Sequence, residues 1–360
     1  FFTSCNEDNG PSYHYEVVSD GAFIVNSGNM YASIDGSLTG INYASNVAMQ
    51  KVFAANNGGQ SLGSTPNDGL VYGDKMYVVV DGSNTVEVIN KKTMQRIKQI
   101  KTTELLGAAE GKSPRHIIAG NGHIFFTTYG GYVAAVDTVN FKLTAKYKVG
   151  SYPEGLAGYA SSIVVANSDY AKGHGNISII NLGTGEVETR NVEGINNPQK
   201  VFINNGNVYI LDWVYYEGEY PNSVEKGESA IKYLAGNKAT KVTDAYYASM
   251  LNGKLYIISN PYGEAKYSVC DINSNPYEGV TTPLNLSEGV FSPAGIDVDP
   301  ATGEIFVLSY NQGESGYADY YSNGYVKRYS KNGSYMYSYD TGVGPCAVFF
   351  NVGVKTILDN

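Results

Sequence analysis

Seven recurrences of one short apolar run, a proline-marked element ahead of nearly every run, and chain ends that complement each other predict an all-β fold. The specific expectation is a seven-bladed β-propeller closed by a C-terminal strand that completes the N-terminal blade. The runs fall at 22–26, 76–81, 124–128, 163–167, 208–212, 255–260 and 305–310. Several are nearly continuous Val, Ile, Phe and Tyr, as expected of strands buried on both faces. The elements ahead of them open at Pro66, Pro114, Pro153, Pro198, an unmarked equivalent near Ala245, Pro293 and Pro345. Their spacing of about 39 to 52 residues suits a unit of four strands.

Each apolar run leads through a loop into a third, alternating strand, expected at 85–90, 132–137, 176–181, 230–234, 266–271 and 325–329. A more polar fourth strand follows, as at 95–101 and 143–149. The chain starts with a second-type strand at 22–26 and finishes with a first-type strand at 344–350, so the last strand is expected to fill the vacancy in the first blade and remove the seam. The propeller is assigned to 15–352, with a leading tether at 1–14 and a short tail at 353–360.

Composition agrees with this and excludes other classes. The 42 Gly and 32 Tyr suit many tight turns between short aromatic strands, and 42% hydrophobic with 16% charged residues is enough apolar material for a large core. A net charge of −9 argues against a nucleic-acid partner, whose phosphates call for excess Lys and Arg. No apolar run reaches the roughly 18 to 20 residues of a membrane-crossing helix. Phe1, Phe2, Thr3, Ser4 and Cys5 resemble the end of a bacterial lipobox, with Phe2 where Leu is usual, and 6–11 form a polar, turn-rich stretch. Lipidation of Cys5 is what this resemblance implies. The stretch 6–11 resembles the acidic segment that sends lipoproteins of Bacteroidetes to the outer cell surface, which implies a place on the extracellular face of the outer membrane with lipid touched only through that anchor. Cys270 and Cys346 fall inside expected strands and read as buried free thiols.

In such a unit, the loops from second to third strand and from fourth strand to the next unit emerge on one face. The long segments 168–175, 213–228, 311–324, 56–65 and 102–113 all belong to these two classes, whereas the opposite face has tight turns such as Asn121-Gly122 and Asn252-Gly253. Long loops on a rigid scaffold are where ligand contacts concentrate. The aromatic residues assigned to that rim as ligand-binding are Tyr31, Tyr129, Tyr152, Tyr170, Trp213, Tyr216, Tyr262, Phe291, Tyr310 and Tyr320. Asp81, Arg115, His116 and Asp169 are interleaved with them. Tyrosine offers a flat apolar face and a hydroxyl at low entropic cost, suited to a large, rigid, amide-bearing ligand.

Catalytic patterns fail on context. Gly59, Gln60, Ser61, Leu62 and Gly63 spell a nucleophile elbow, but the stretch lies between two strands with no helix to follow. The segment from Gly107 to Ser113 lacks one residue of a phosphate-cradling loop. Asp297 and Asp299 fall on an expected short turn without further oxygen ligands for calcium. His14, His116, His123 and His174 show no metal-ligand spacing. No catalytic residue, metal or catalytic cofactor is assigned.

The units "MYVVVDGSNTVEVINKKTMQ" and "YPEGLAGYASSIVVANSDYAKGHGNISIINLGTGEV" resemble those of YVTN or YncE-like propellers, over about 15–352. With the lipobox-like start, the whole chain resembles the BtuG-type surface lipoproteins of Bacteroides. That resemblance implies a non-enzymatic binding protein that captures vitamin B12 (cobalamin) and related corrinoids. It also implies transfer to a BtuB-like TonB-dependent outer-membrane transporter. Two alternatives fit the same architecture: a glycan-binding surface lipoprotein, and a propeller enzyme of lactonase or quinoprotein type.

Overall fold

The computed structural model describes residues 13–219 and 221–358, and within them the protein is an all-β assembly of four-stranded antiparallel sheets with a propeller-like arrangement. Seven such sheets follow one another along the chain among the described residues, accompanied by one two-stranded ribbon. The lipidation site expected at Cys5 lies outside the described residues.

The first sheet joins the two ends of the chain. Its strands Val47–Met49, Ser37–Asn42 and Tyr13–Asn26 are followed in order by Pro345–Leu358, whose Phe350, Phe349 and Val348 pair with Ala22, Phe23 and Ile24. The same two strands run on beyond the expected limits: Tyr13 pairs with Leu358 and Val17 with Val354. Alternation of Tyr13, Tyr15 and Val17 with His14 and Glu16 is the sequence signal for this extension, which turns most of the assigned tail 353–360 into strand.

The other six sheets run in chain order, each starting at the proline-marked element or its equivalent: Pro66–Tyr72, Pro114–Gly120, Pro153–Tyr159, Pro198–Asn204, Tyr247–Leu251 and Ser292–Val298. The start is locally the same in several sheets. Thr65, Ser113, Tyr152 and Gly344 all hold positive φ immediately before the proline, and the register slips just after it in six sheets. Proline suits the spot because its missing N–H costs no ladder bond at a strand's first residue. Hairpins on the opposite face turn at Asn121-Gly122, Asn205-Gly206 and Asn252-Gly253, every one of these residues at positive φ, as a two-residue turn between twisted strands requires.

Burial follows the period of the strands. The expected second strands are buried almost throughout, for example Met76 to Val80 at 0% exposure, and each hydrophobic cluster spans two neighbouring sheets. Phe23, Val25 and Leu38 of the first sheet pack with Met76, Val78 and Val80 of the second; Phe202 and Tyr209 of the fifth pack with Ala248, Leu255 and Ile257 of the sixth. At about 25 cal/mol per Å² of apolar area, this face-to-face burial between sheets supplies the main stabilisation. First strands of most successive sheets lie side by side, and Lys200 Nζ reaches the Ala248 carbonyl at 3.5 Å between the fifth and sixth.

Two five-residue helices, Val52–Asn56 and Thr102–Leu106, sit in links between sheets. The loop at 213–229 carries the ribbon Tyr215–Glu217 and Val224–Lys226.

Candidate functional site

The first strands of all seven sheets line a central cavity of about 230 Å³. Its wall is uneven. From the second to the fifth sheet it carries Asn67, Asp68, Arg115, His116, Glu154, Gln199 and Lys200; from the sixth, seventh and first it carries mainly Tyr247, Ala248, Ala294, Gly295, Cys346, Ala347 and Val348.

Arg115 organises the polar side. Its Nη1 donates to Asp81 at 2.6 Å and its Nε to Glu154 at 3.0 Å, while its guanidinium lies 4.8 Å from the Tyr129 ring centre. The Tyr129 hydroxyl donates to the other oxygen of Glu154. Burial opposes the Arg115 charge, but Glu154, Tyr129 and Asp81 outweigh it and raise the pKa further. His116 Nδ1 lies 3.1 Å from Asp68, so this ring belongs to the cavity wall and not to the rim loops. With both carboxylates on one guanidinium, Arg115 is committed to protein partners rather than to a ligand phosphate.

Above this pair, Tyr129, Tyr152 and Tyr170 form one aromatic group, with ring centres 5.0 Å apart for Tyr129–Tyr152 and for Tyr152–Tyr170. The backbone here is strained: Tyr152, Asp169, Tyr170 and Ala171 all have φ between 48° and 60°. Left-handed backbone costs L-residues other than Gly, Asn or Asp about 1–2 kcal/mol each, and such strain concentrates at ligand sites. Asp169 itself lies 3.4 Å from His174.

A second group is centred on Trp213, which stacks on Tyr246 at 4.6 Å and meets Tyr247 edge-on at 6.4 Å. The Trp213 indole N–H donates to the Tyr246 carbonyl at 2.7 Å. Tyr262 packs edge-on against Tyr246, their hydroxyls 3.1 Å apart, and the Tyr216 hydroxyl donates to Glu225 at 3.2 Å. Burial, and then Tyr262, pushes the Tyr246 hydroxyl up, so it remains a neutral donor at physiological pH. A third, smaller pair is Tyr310–Tyr320 at 4.7 Å, tied to the first sheet by Asn29 donating to the Tyr320 carbonyl.

The structure thus gathers Asp81, Arg115, His116, Tyr129, Tyr152 and Tyr170 into one constellation and Trp213, Tyr216 and Tyr262 into another. Tyr31 is 90% exposed on a single helical turn capped by Asn29 and joins neither. Phe291 is 44% exposed and stands apart, its backbone N–H donating to the Tyr325 hydroxyl. Tyr246, Tyr247, Lys200 and Glu225 were not among the sequence-assigned ligand residues. The paired tyrosines at the proline-free sheet start were the available signal for the first two.

The decoy patterns resolve plainly. Ser61 donates to Asp35 at 2.7 Å, and the next element is the strand Pro66–Tyr72. Asp299 is taken up by Ser19, Tyr43 and the amides of Ala301 and Thr302. Asp297 departs from its expected place on a turn: it lies in the strand Ser292–Val298, lines the cavity and accepts from Ser249 at 2.5 Å. Burial raises its pKa, opposed by the Lys200 charge. Cys270 is a buried free thiol as expected, while Cys346 is only half-buried on the cavity wall, its thiol pushed up to about 12 by burial and then by Asp68. Among the described residues no group of three or more His, Cys, Asp or Glu is placed to hold a metal ion.

Residues 20–350 match the family described as Domain of unknown function (DUF5074). The chain belongs to that family. Among solved structures, this DUF5074 chain is similar to a functionally unknown protein from Desulfotomaculum acetoxidans DSM 771, at TM-score 0.57 and 11% identity over 95% of this chain and 100% of that one. It is also similar to Kuenenia stuttgartiensis hydrazine synthase, at 0.56 and 15% over 75% and 86%. A third likeness is to streptogramin B lyase, at 0.52 and 13% over 82% and 93%. At such identities the likeness concerns the fold alone. No curated protein matches the chain.

Proposed function

We propose that the DUF5074 chain is a closed seven-bladed propeller acting as an extracellular, lipid-anchored binding protein of the outer membrane. It captures cobalamin on its long-loop face and passes it to a BtuB-like TonB-dependent transporter, without catalytic turnover. Support for the ring comes from the shared first sheet, where Phe349 pairs with Phe23, and from a cavity to which all seven first strands contribute.

The observation that carries the ligand reading is a mismatch of sizes. The central cavity, at about 230 Å³, is smaller than the roughly 300–1,000 Å³ of ordinary small-molecule sites, whereas aromatic groups stand above two sides of it, at Tyr129–Tyr152–Tyr170 and at Trp213–Tyr246. A broad, flat guest is therefore received on the face and stacked upon, not swallowed. A corrin ring edged with amides meets both demands: its faces bury against aromatic rings, and its amides meet tyrosine hydroxyls and loop backbone. Because the Arg115 charge is already met by two carboxylates, the corrinoid phosphate is left to solvent or to the loops.

Calorimetry with cyanocobalamin tests this directly. Saturable binding of one corrinoid per chain is expected, weakened at least tenfold in a Trp213→Ala, Tyr152→Ala double variant whose melting temperature stays within a few degrees of the parent. Absence of heat, together with no co-elution of the red ligand, ends the reading.

A further inference from the structure

Between the fifth and sixth sheets, on the same face but to the side of the central mouth, lies an open groove of about 510 Å³. We propose that this groove is a separate carbohydrate-binding site, sized for a disaccharide. Its platform is aromatic: Tyr262 is 73% exposed and Tyr216 is 46% exposed, with Tyr246 between them supporting Tyr262 edge-on. Its flanks are rich in acceptors, Glu225, Asp244 and Asn260 among them. The stacked Trp213–Tyr246 pair divides it from the central cavity, since Trp213 lines one and Tyr246 the other.

The fifth sheet supplies the key part by an insertion. Its loop from second to third strand folds into the ribbon Tyr215–Glu217 with Val224–Lys226, in which Tyr216 and Glu225 are directly opposed. Pairing in that register puts a ring and a carboxylate on the same face of the ribbon, at the distance of a cross-strand pair. Glu225 Oε2 accepts from the Tyr216 hydroxyl, and Oε1 has no protein donor among the described residues.

This chemistry selects a polyol. The C–H face of a pyranose stacks on an exposed tyrosine, and its hydroxyls donate to carboxylate oxygens in charge-assisted hydrogen bonds. The charge balance argues against an organic cation. Lys241 bridges Glu228, at 2.6 Å, and Asp244, at 2.7 Å, and Lys266 also lines the groove, so the two lysines offset two of the three carboxylates and leave little net charge to hold a cation. Lys241 is held protonated by Asp244 and then Glu228, so this neutralisation persists to alkaline pH. The volume lies within the range of roughly 300–1,000 Å³ for small-molecule sites. It is also about twice that of the central cavity.

The test is a titration of the full chain with lactose, cellobiose, maltose and N,N′-diacetylchitobiose, read by tyrosine fluorescence and by calorimetry, with choline as the cationic comparison. Saturable binding of at least one disaccharide is expected. Glu225→Gln and Tyr262→Ala each weaken it at least fivefold, and Tyr262→Phe, which keeps the stacking ring, retains most of it. Melting curves of all three variants identify any that fails to fold, and Tyr262→Phe against Tyr262→Ala then decides alone. Silence with every disaccharide, binding of choline instead, or a sugar affinity indifferent to these substitutions overturns the proposal.

Discussion

The two halves of the cavity wall occupy equivalent places in the repeat and are built oppositely. Just after the first-strand proline, the second to fifth sheets carry Asn67, Arg115, Glu154 and Gln199, where the seventh and first carry Ala294 and Cys346. The ladder of backbone bonds is the same in both halves, so the fold does not dictate the side chain at this position. In the polar half, polar and charged side chains set into the wall must find partners, and they do: Arg115 with Asp81 and Glu154, His116 with Asp68. In the other half only the Asp297 carboxylate has to be satisfied, by the Ser249 hydroxyl, and the remaining small residues let the strands crowd the cavity. The polar half is therefore the costlier one to disturb, and its partners fix the tyrosines above it.

Removing the central cation tests this most severely. Arg115→Met leaves Glu154, whose side chain is 5% exposed, without its cation, and breaking a buried pair from one side costs about 3–5 kcal/mol. A loss near the lower end is expected in urea unfolding, because the Arg115 side chain keeps 20% exposure. Cys346→Ala, across the axis, is expected to cost about 1 kcal/mol or less. Equal losses would break the comparison.

Glycine substitutions sharpen it at smaller scale. A Cβ on Gly155 would lie 2.6 Å from the Gln199 carbonyl oxygen and 2.9 Å from Lys200 Cα, backbone atoms of the next first strand. On Gly295 it would lie 3.3 Å from Leu308 Cδ1, the end of a side chain that can yield. Gly155→Ala is expected to destabilise by about 1–3 kcal/mol and Gly295→Ala by less than about 1, measured by the same unfolding curves.

How far this was readable from sequence follows from where each signal is local. Runs such as 76–81 and the prolines at 66, 114 and 153 repeat in register, so strand order and the pairing of chain ends were legible. Five-residue helices such as Val52–Asn56 are too short to show a helical period, and the ribbon at Tyr215–Glu217 is a three-residue strand inside a long loop. The candidate site was legible by residue type and not by grouping. Tyr129, Tyr152 and Tyr170 meet only because three neighbouring positive-φ residues, 169–171, turn the loop back. Asp297 was misplaced because the aspartate-proline-glycine pattern after it marks a turn that begins two residues later, at Asp299.

Asp297 also gives the smallest and most discriminating contrast, as the lone carboxylate in the otherwise small-residue half of the wall. Burial raises its pKa, with Lys200 and the Ser249 hydroxyl acting in the opposite sense. A carboxyl whose folded pKa exceeds its unfolded value binds its proton more tightly when folded. Its contribution is therefore fully favourable below the ordinary aspartate range, near about 4, and is lost as pH rises through the raised value. Asp297→Asn, which cannot ionise, is accordingly expected to stabilise the chain at pH 7.5 by less than either loss above. The advantage should shrink as the pH is lowered toward 4. Paired melting curves of parent and variant across that range measure it. A gain independent of pH would assign the effect to packing against Ser249, and a loss at pH 7.5 would mean that Lys200 depends on this carboxylate as Glu154 depends on Arg115, making the two halves of the wall alike.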